Sequence, residues 1–138
     1  MSYLVDTNVL SELRRKQPDA HVVHWFSVRP AGTLYLSVLT LGEIRKGVEA
    51  MADQNRKLAL LDWLETDLPA FFEGRILPVD NAVAELWGRM QAKAGRPLPA
   101  IDSLLAATAQ HHGLMLVTRN VRDVDGLGVV LINPWNAA

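Results

Sequence analysis

Four acidic residues stand where the surrounding sequence is apolar or changes abruptly from apolar to polar. They are Asp6, Glu43, Asp102 and Asp123. A carboxylate that the fold buries is costly unless an arginine, a proton or a metal ion compensates it. Four carboxylates that converge would also repel one another unless cations or protons neutralised them. The chemistry of these residues therefore depends on whether the fold brings them together.

Two apolar segments of the chain end in similar polar exits. Residues 3–5 run into Asp6-Thr7-Asn8, and residues 114–117 run into Thr118-Arg119-Asn120, shortly before Asp123. One such exit is explained by a turn or a helix cap, because Asp, Thr and Asn bond well to nearby backbone. In a parallel sheet, however, both exits lie on one edge, where ligands of open α/β sheets bind. We therefore expect the acids of the two exits to meet if their strands are neighbours.

Glu43 and Asp102 belong to predicted helices. Helical geometry places Glu43 on the broad apolar face of its helix, opposite the charged side, so its carboxylate is predicted to be at least half buried. Asp102 lies just past the start of its helix, where the helix dipole alone favours an acid. It also borders the apolar stripe of that helix, a position that faces either a crevice or water.

The donor types at these positions suit a hard divalent cation. The chain has no cysteine, and its histidines do not cluster, so oxygen ligands favour Mg²⁺ or Mn²⁺. Such ions serve phosphodiester hydrolysis, since they activate water and offset charge on the attacked phosphate. His21 and His24 have a spacing that could in principle ligate a metal, but with no partner carboxylate nearby in the sequence we do not expect a metal site there.

Composition bounds the possible functions. With 138 residues, 49% of them hydrophobic, the chain is expected to form one domain over residues 1–138. The net charge of −1 does not indicate nucleic-acid binding by the molecule as a whole, so local patches must supply it. Arg119 and Arg122 flank the approach to Asp123 and are the best placed candidates for RNA contact. The sequence shows neither a leader nor a membrane-spanning segment, which predicts a cytoplasmic protein.

Apolar periodicity predicts strands that alternate with helices. The predicted strands are 3–5, 33–37, 75–77, 114–117 and 129–132, and the predicted helices are 9–15, 20–28, 38–51, 57–72, 82–94 and 97–112. This alternation predicts an α/β fold whose central sheet is mostly parallel and covered on both faces. Helix 57–72 carries an apolar stripe, expected to face the core or a subunit interface, formed by Leu58, Leu61, Leu64 and Leu68.

Four stretches of the chain match a known family in the family's own order. They are LVDTNVLSEL, SVLTLGEIRKG, GRPLPAIDSLLAATA and LVTRNVRDVDGLGVVLINPW. Together they cover nearly the whole chain, which resembles the PIN-domain family and, more narrowly, toxin ribonucleases of the VapC and FitB type. The resemblance implies a three-layer α/β/α sandwich around a mostly parallel sheet of four to five strands.

The resemblance also implies that the four acids hold Mg²⁺, with Mn²⁺ as the alternative ion. Asp6 and Asp102 would bind it most directly, while Glu43 and Asp123 would complete the site directly or through water. All four acidic positions of the family pattern are present, so the resemblance implies a catalytically competent protein.

Further residues enter through the same resemblance. Asn8 and Thr118 match polar positions that form hydrogen bonds around the site. Asp125 lies two residues beyond Asp123 and is an alternative to it, although the family pattern favours Asp123.

The function implied is that of a Mg²⁺-dependent endoribonuclease, the toxin of a type II toxin-antitoxin pair. It would hydrolyse RNA with metal-activated water and without a covalent enzyme intermediate, leaving a 5′-phosphate and a 3′-hydroxyl. Its partners would be RNA, a small inhibitory antitoxin, and further copies in a homodimer or a larger toxin-antitoxin assembly. It would contact DNA only through the antitoxin, and no membrane.

Two other functions remain open at this stage. One is a regulatory partner that acts mainly through a DNA-bound antitoxin rather than by catalysis. The other is a receiver-type phosphoacceptor domain, which is also α/β with clustered aspartates. A receiver would carry paired acids at the first strand end and a lysine after a late strand, whereas this chain has Asp6-Thr7-Asn8 and Arg119 there.

Overall fold

The computed structural model describes residues 1–136, so the last two positions of the predicted 1–138 domain lie outside the described residues. The strands of this part are β1 (Tyr3–Val5), β2 (Leu34–Ser37), β3 (Ile76–Leu77), β4 (Met115–Val117) and β5 (Leu131–Ile132). The α-helices are α1 (Thr7–Leu13), α2 (Ala20–Ser27), α3 (Val38–Glu49), α4 (Gln54–Asp62), α5 (Leu68–Phe71), α6 (Asn81–Ala94) and α7 (Ala100–His112). None of these helices has both the length and the apolar character needed to cross a membrane.

All strand pairs of the sheet are parallel, and the order across it is β3-β2-β1-β4-β5. Strand β1 is central, between β2 and β4, and its last residue, Val5, pairs with Val117, the last residue of β4. The two polar exits noted in the sequence therefore leave neighbouring strands at the same level of the same edge. This register places Asp6 beside Thr118.

Helices cover both faces of the sheet. Because successive residues of a strand point to opposite faces, Leu4 and Leu116 pack with α6 and α7, whereas Val5 and Val117 pack with α1 to α5. Each face has its own buried apolar cluster. The predicted three-layer α/β/α sandwich with a parallel central sheet of four to five strands is confirmed.

The predicted helix 57–72 differs from the structure in one respect. Helix α4 begins earlier, at Gln54, and a wider π-type turn over Trp63–Asp67 separates it from α5. A π turn adds a residue and rotates the side chains that follow it. Leu64 and Leu68 are buried in the core, while Leu58, which precedes the turn, is 62% exposed, so the core expectation is wrong for Leu58 and the expectation of a subunit interface stays a prediction.

A buried hydroxyl fixes the beginning of α7 against α6. Ser103 is fully buried, and its Oγ accepts hydrogen bonds from Trp87 Nε1 at 2.9 Å and Gln91 Nε2 at 3.3 Å. The same hydroxyl donates to the carbonyl oxygen of Pro99 at 2.6 Å. The first turn of α7, which carries Asp102, is therefore anchored from α6 by side chains.

Replacing Ser103 with alanine is expected to lower the free energy of unfolding by about 1 to 2 kcal/mol, because the indole N–H of Trp87 then loses its acceptor. Urea denaturation measures the change. Trp87→Phe removes the donor instead, and the two substitutions together should cost about 1 kcal/mol less than the sum of the single changes. Strictly additive losses would show that this hydrogen bond contributes nothing to stability.

Candidate active site

Asp6 ends β1 and begins α1 at the same time. Its backbone N–H extends the ladder to β4 by donating to the carbonyl oxygen of Val117 at 2.9 Å. Its Oδ1 accepts the N–H of Thr7 at 2.6 Å, which caps α1. The helix therefore starts two residues before the predicted position 9, because Asp6 itself is the cap. With no loop between strand and helix, the side chain is only 4% exposed.

The second oxygen of Asp6 connects the two strand exits. Thr118, itself buried, donates from Oγ1 to Asp6 Oδ2 at 2.7 Å, and Asn8 Nδ2 lies 3.3 Å from the same oxygen. Asn8 Oδ1 in turn accepts the backbone N–H of Arg119 at 3.3 Å. The polar residues after β1 and β4 thus form one hydrogen-bonded group around the buried carboxylate.

The environment of Asp6 raises its pKa above the ordinary value. Burial is the main cause, since it disfavours the charged form, and the negative charge of Glu43 adds to it. The hydrogen bonds from Thr118 and Thr7 act in the opposite direction but do not cancel the effect of burial. Asp6 is therefore a carboxylate whose charge is incompletely compensated by the protein.

Glu43 reaches the same region from α3, where a hydroxyl holds it in place. Thr7 Oγ1 donates to Glu43 Oε1 at 2.6 Å and lies 3.2 Å from Thr40 Oγ1. The prediction that Glu43 is at least half buried is wrong, because the residue is exposed. The apolar side of α3 borders an open groove here, and in residues 1–136 no other element comes within 4 Å of where a side chain on Gly47, one turn further along the helix, would begin.

Asp102, in the first turn of α7, has its pKa raised to about 6. The causes, in decreasing order, are burial and the negative charges of Asp6, Asp123 and Glu43, while a hydrogen bond with the Asn120 side chain lowers the pKa. The charge on Asp102 is therefore coupled to those of the other three acids. The fold has brought residues from the beginning, middle and end of the chain into one electrostatic group.

Asp123 lies on a single 3₁₀ turn, Val121–Val124, which follows the exit of β4. It is close enough to raise the pKa of Asp102, although it does not line the crevice that contains the other three acids. Asp125 is exposed, and its carbonyl oxygen accepts a hydrogen bond from Arg96 Nη2 at 2.9 Å. This placement favours Asp123 over Asp125 as the fourth acid, and its catalytic role stays a prediction.

The acids border an open crevice of about 410 Å³ at the carboxyl edge of the sheet. Asp6, Glu43 and Asp102 form part of its wall, together with residues of α1, residues of the β4 exit, Arg15 and Trp135. Of the two arginines predicted to contact RNA, Arg119 lines the crevice, whereas Arg122 is exposed on the following turn.

The chemistry of this donor set fits a hard divalent cation. None of the ion pairs among residues 1–136 includes any of the four acids, and the raised pKa values of Asp6 and Asp102 reflect burial first and neighbouring negative charge second. The acidic side chains that line the crevice do not converge on one position. In the described part of the chain, no three acidic or histidine side chains are near enough to share an ion. A cation that binds here is expected to draw the carboxylates together.

Sequence reasoning missed several residues of this crevice, among them Thr7, Glu12 and Trp135. Thr7 appeared to serve the turn, whereas its hydroxyl holds Glu43. Glu12 follows Asn8 by one helical turn, and that spacing is a signal from which it could have been found. Trp135 lies beyond β5, in a segment where no periodic pattern indicates which way a side chain faces.

Glu12 is a buried acid whose carboxylate is stabilised by hydrogen bonds from neighbouring residues. Its Oε2 accepts the N–H of Asp19 at 2.8 Å, and Arg15 Nη1 lies 3.2 Å from its Oε1. The hydrogen bond from Asp19 is the main reason that the pKa of Glu12 is lowered. Glu12 is therefore a structural link between α1 and the start of α2, in contrast to Asp6.

The sequence model of the PIN domain matches residues 3–125. The chain belongs to the PIN domain family. This PIN domain is 37% identical over 136 residues to toxin FitB of Neisseria gonorrhoeae, with 96% of this chain and 98% of the relative covered. It is 36% identical over 138 residues to the VapC ribonuclease Y4jK of Sinorhizobium fredii, with 98% and 99% covered.

Solved structures agree with this assignment. The crystal structure of FitAcB from Neisseria gonorrhoeae contains a chain that matches this PIN domain with a TM-score of 0.94 at 36% identity, covering 98% of this chain and 99% of that one. A toxin-antitoxin complex from Klebsiella pneumoniae matches with a TM-score of 0.69 at 25% identity, covering 96% and 98%. The family resemblance carried by the sequence motifs is therefore confirmed.

The raised pKa of Asp102 predicts a pH dependence of stability when no divalent ion is present. The folded protein holds this proton more tightly than the unfolded chain, since the pKa is about 6 instead of 3.8. The resulting stabilisation is complete below about pH 4 and is lost as the pH rises through about 6. We expect it to amount to about 1 kcal/mol, because water partly screens the half-buried side chain.

Urea denaturation of the parent and Asp102→Asn, at about pH 4 and about pH 7, tests this expectation. Asparagine does not titrate, so the variant should lose less stability over this interval than the parent. An identical pH dependence in the two proteins would contradict the raised pKa.

Proposed function

We propose that this PIN domain is a Mg²⁺-dependent endoribonuclease and the toxin of a type II toxin-antitoxin pair. The observation that carries the proposal is the placement of Asp6, Glu43 and Asp102 around one crevice at the carboxyl edge of the sheet, where burial first and the charges of the other three acids second raise the pKa of Asp102. An uncompensated group of carboxylates is what a divalent-metal nuclease requires. The ribonuclease name of the Sinorhizobium relative supports RNA as the substrate.

Asp6 and Asp102 would hold the ion most directly, with Glu43 and Asp123 completing the site. When bound, Mg²⁺, or Mn²⁺ in its place, supplies an activated water and offsets charge on the attacked phosphate. Thr118 and Asn8 keep the buried Asp6 carboxylate in one orientation.

Glu43 is suited to a different part of the reaction because it is exposed. Thr7 occupies its Oε1, while its Oε2 makes no hydrogen bond within residues 1–136. This oxygen is therefore available to accept a proton from water in the crevice. Arg119 and Arg122 supply positive charge for RNA phosphates at the exit of β4.

Regulation by a protein partner is the second part of the proposal. One relative is named a toxin, and a solved relative is described as a toxin-antitoxin complex. We infer that a small antitoxin inhibits this PIN domain, and that the toxin assembles as a homodimer or in a larger complex with its antitoxin. In this proposal the toxin contacts DNA only through the antitoxin, and it acts in the cytoplasm.

The sequence left two alternative functions open, a receiver-type phosphoacceptor domain and a purely regulatory partner. The PIN family match leaves no support for a receiver-type phosphoacceptor domain. A purely regulatory partner would not need four coupled carboxylates, so the intact acidic group favours catalysis.

Asp6→Asn is expected to abolish RNA cleavage in Mg²⁺ without unfolding the protein, because it removes the charge of a metal ligand and preserves its shape. Denaturing gel electrophoresis of single-stranded RNA, with circular dichroism to check the fold, measures both effects. The exposed residue Asp62 provides a matched control, since Asp62→Asn makes the same chemical change on α4, outside the crevice lining. Parent-like cleavage by Asp6→Asn would contradict the assignment.

Cellular induction tests the partner. Expression of the parent alone should arrest growth and generate RNA fragments with 5′-phosphates. Co-expression of the neighbouring open reading frame should suppress both effects, whereas Asp6→Asn should be harmless in either setting. Growth arrest by Asp6→Asn equal to that by the parent would indicate that toxicity does not depend on catalysis.

A further inference from the structure

Arg119 is a cation beside three carboxylates, yet it does not pair with them. It is exposed and lines the crevice with Asp6, Glu43 and Asp102. Within residues 1–136, its guanidinium makes neither a hydrogen bond nor an ion pair, although its backbone N–H donates to Asn8. Instead, its Cζ atom lies 4.9 Å from the ring centroid of Trp135. The five N–H donors of this arginine therefore remain available to a ligand.

Trp135 is held firmly enough to position that guanidinium. The N–H of Thr118 donates to the carbonyl oxygen of Ile132 at 2.9 Å, which places the end of β5 next to the exit of β4. Asn133 Oδ1 then accepts the N–H of Trp135 at 2.9 Å and turns the chain back toward the crevice. The indole packs partly against the apolar core and partly lines the crevice. The guanidinium of Arg119 therefore lies over the indole at the crevice and, within residues 1–136, forms no ion pair with the acids.

A planar guanidinium held over an aromatic ring is a surface on which a nucleobase stacks. Arginine and tryptophan both bind unpaired bases in this way, and single-stranded RNA is recognised largely through such stacking. We propose that Arg119 and Trp135 form a shelf for the base of one nucleotide adjacent to the cleaved phosphodiester. The proposal rests on the RNA-cleaving function above and adds to it a contact with a base.

Arg122 carries the same charge as Arg119 but does not lie over an aromatic ring described in residues 1–136. It lies three residues further on and is also exposed. Arg122 is suited to a phosphate contact, which does not depend on the presence of a base. The shelf and a phosphate contact are therefore distinguished by removing the base from the substrate.

The experiment uses a short single-stranded RNA that the parent cleaves at one mapped position, and two otherwise identical RNAs with an abasic nucleotide on either side of the cut. Arg119→Lys retains the charge but loses the planar group, and Trp135→Leu retains apolar packing but loses the ring. Each variant should lower kcat/KM about tenfold on the intact RNA. On the RNA that lacks the stacked base, the variants and the parent should agree within about twofold.

Controls separate stacking from folding. Arg89→Lys makes the same change on α6, outside the lining of the crevice, and should leave kcat/KM unchanged on every substrate. Trp135→Phe should restore most of the activity lost in Trp135→Leu, because it restores an aromatic ring. Equal losses on intact and abasic RNA, or no loss on intact RNA, would overturn the shelf.

Binding of a short single-stranded RNA and of its abasic counterparts, measured by fluorescence anisotropy in an Asp6→Asn background, separates the base contact from the proposed function, because it needs no mapped cut. If the parent cleaves no RNA, but removing a base weakens binding and this effect requires both Arg119 and Trp135, the base contact stands and the nuclease assignment fails. If the parent cleaves RNA and binding is insensitive to the base, the nuclease assignment stands and the shelf fails.

Discussion

The site depends on one buried hydrogen bond, from Thr118 Oγ1 to Asp6 Oδ2 at 2.7 Å. It joins the ends of the two neighbouring strands at the centre of the sheet, and it stabilises a carboxylate that burial would otherwise exclude. From this bond the other components extend outward: Asn8 bridges to Arg119, and Thr7 holds Glu43. Without it, Asp6 would lose its shortest hydrogen bond to another side chain, and Asn8 alone would join the two exits through side-chain hydrogen bonds.

The protein retains negative charge at this edge at a cost to its own stability. Glu12 and Asp6 are both buried acids at the ends of α1, and both have hydrogen-bond partners. The pKa of Glu12 is lowered because a backbone N–H and Arg15 satisfy it, whereas the pKa of Asp6 is raised because burial outweighs its partners. A buried carboxylate such as Asp6, whose ionised form the protein does not fully stabilise, is characteristic of binding sites and catalytic sites. Arg119, which lines the same crevice, lies over Trp135 instead of pairing with these acids.

Much of the architecture was predictable because local signals agreed with one another. The parallel sheet followed from strands that alternate with helices, and Asp19 and Asp80 cap the helices predicted to follow them. The errors arose where packing overrode periodicity. A π turn at Trp63–Asp67 interrupts the predicted helix, Leu58 before that turn is exposed, and an open groove leaves Glu43 in contact with water. Neither a helix insertion nor the absence of a covering element is visible in the pattern of a single helix.

The sequence by itself determined the element order, the sheet class and the identity of four unusual acids, because these properties depend on residue type and on spacing within short segments. Only the tertiary structure decided that Asp6 is buried and that Glu43 is exposed. It also decided that the Thr7 hydroxyl orients Glu43. The same holds for Trp135, which lies 16 positions after Arg119 and meets it only because β5 pairs with β4. Contacts of this kind depend on strand order and register, which arise from the packing of the whole chain.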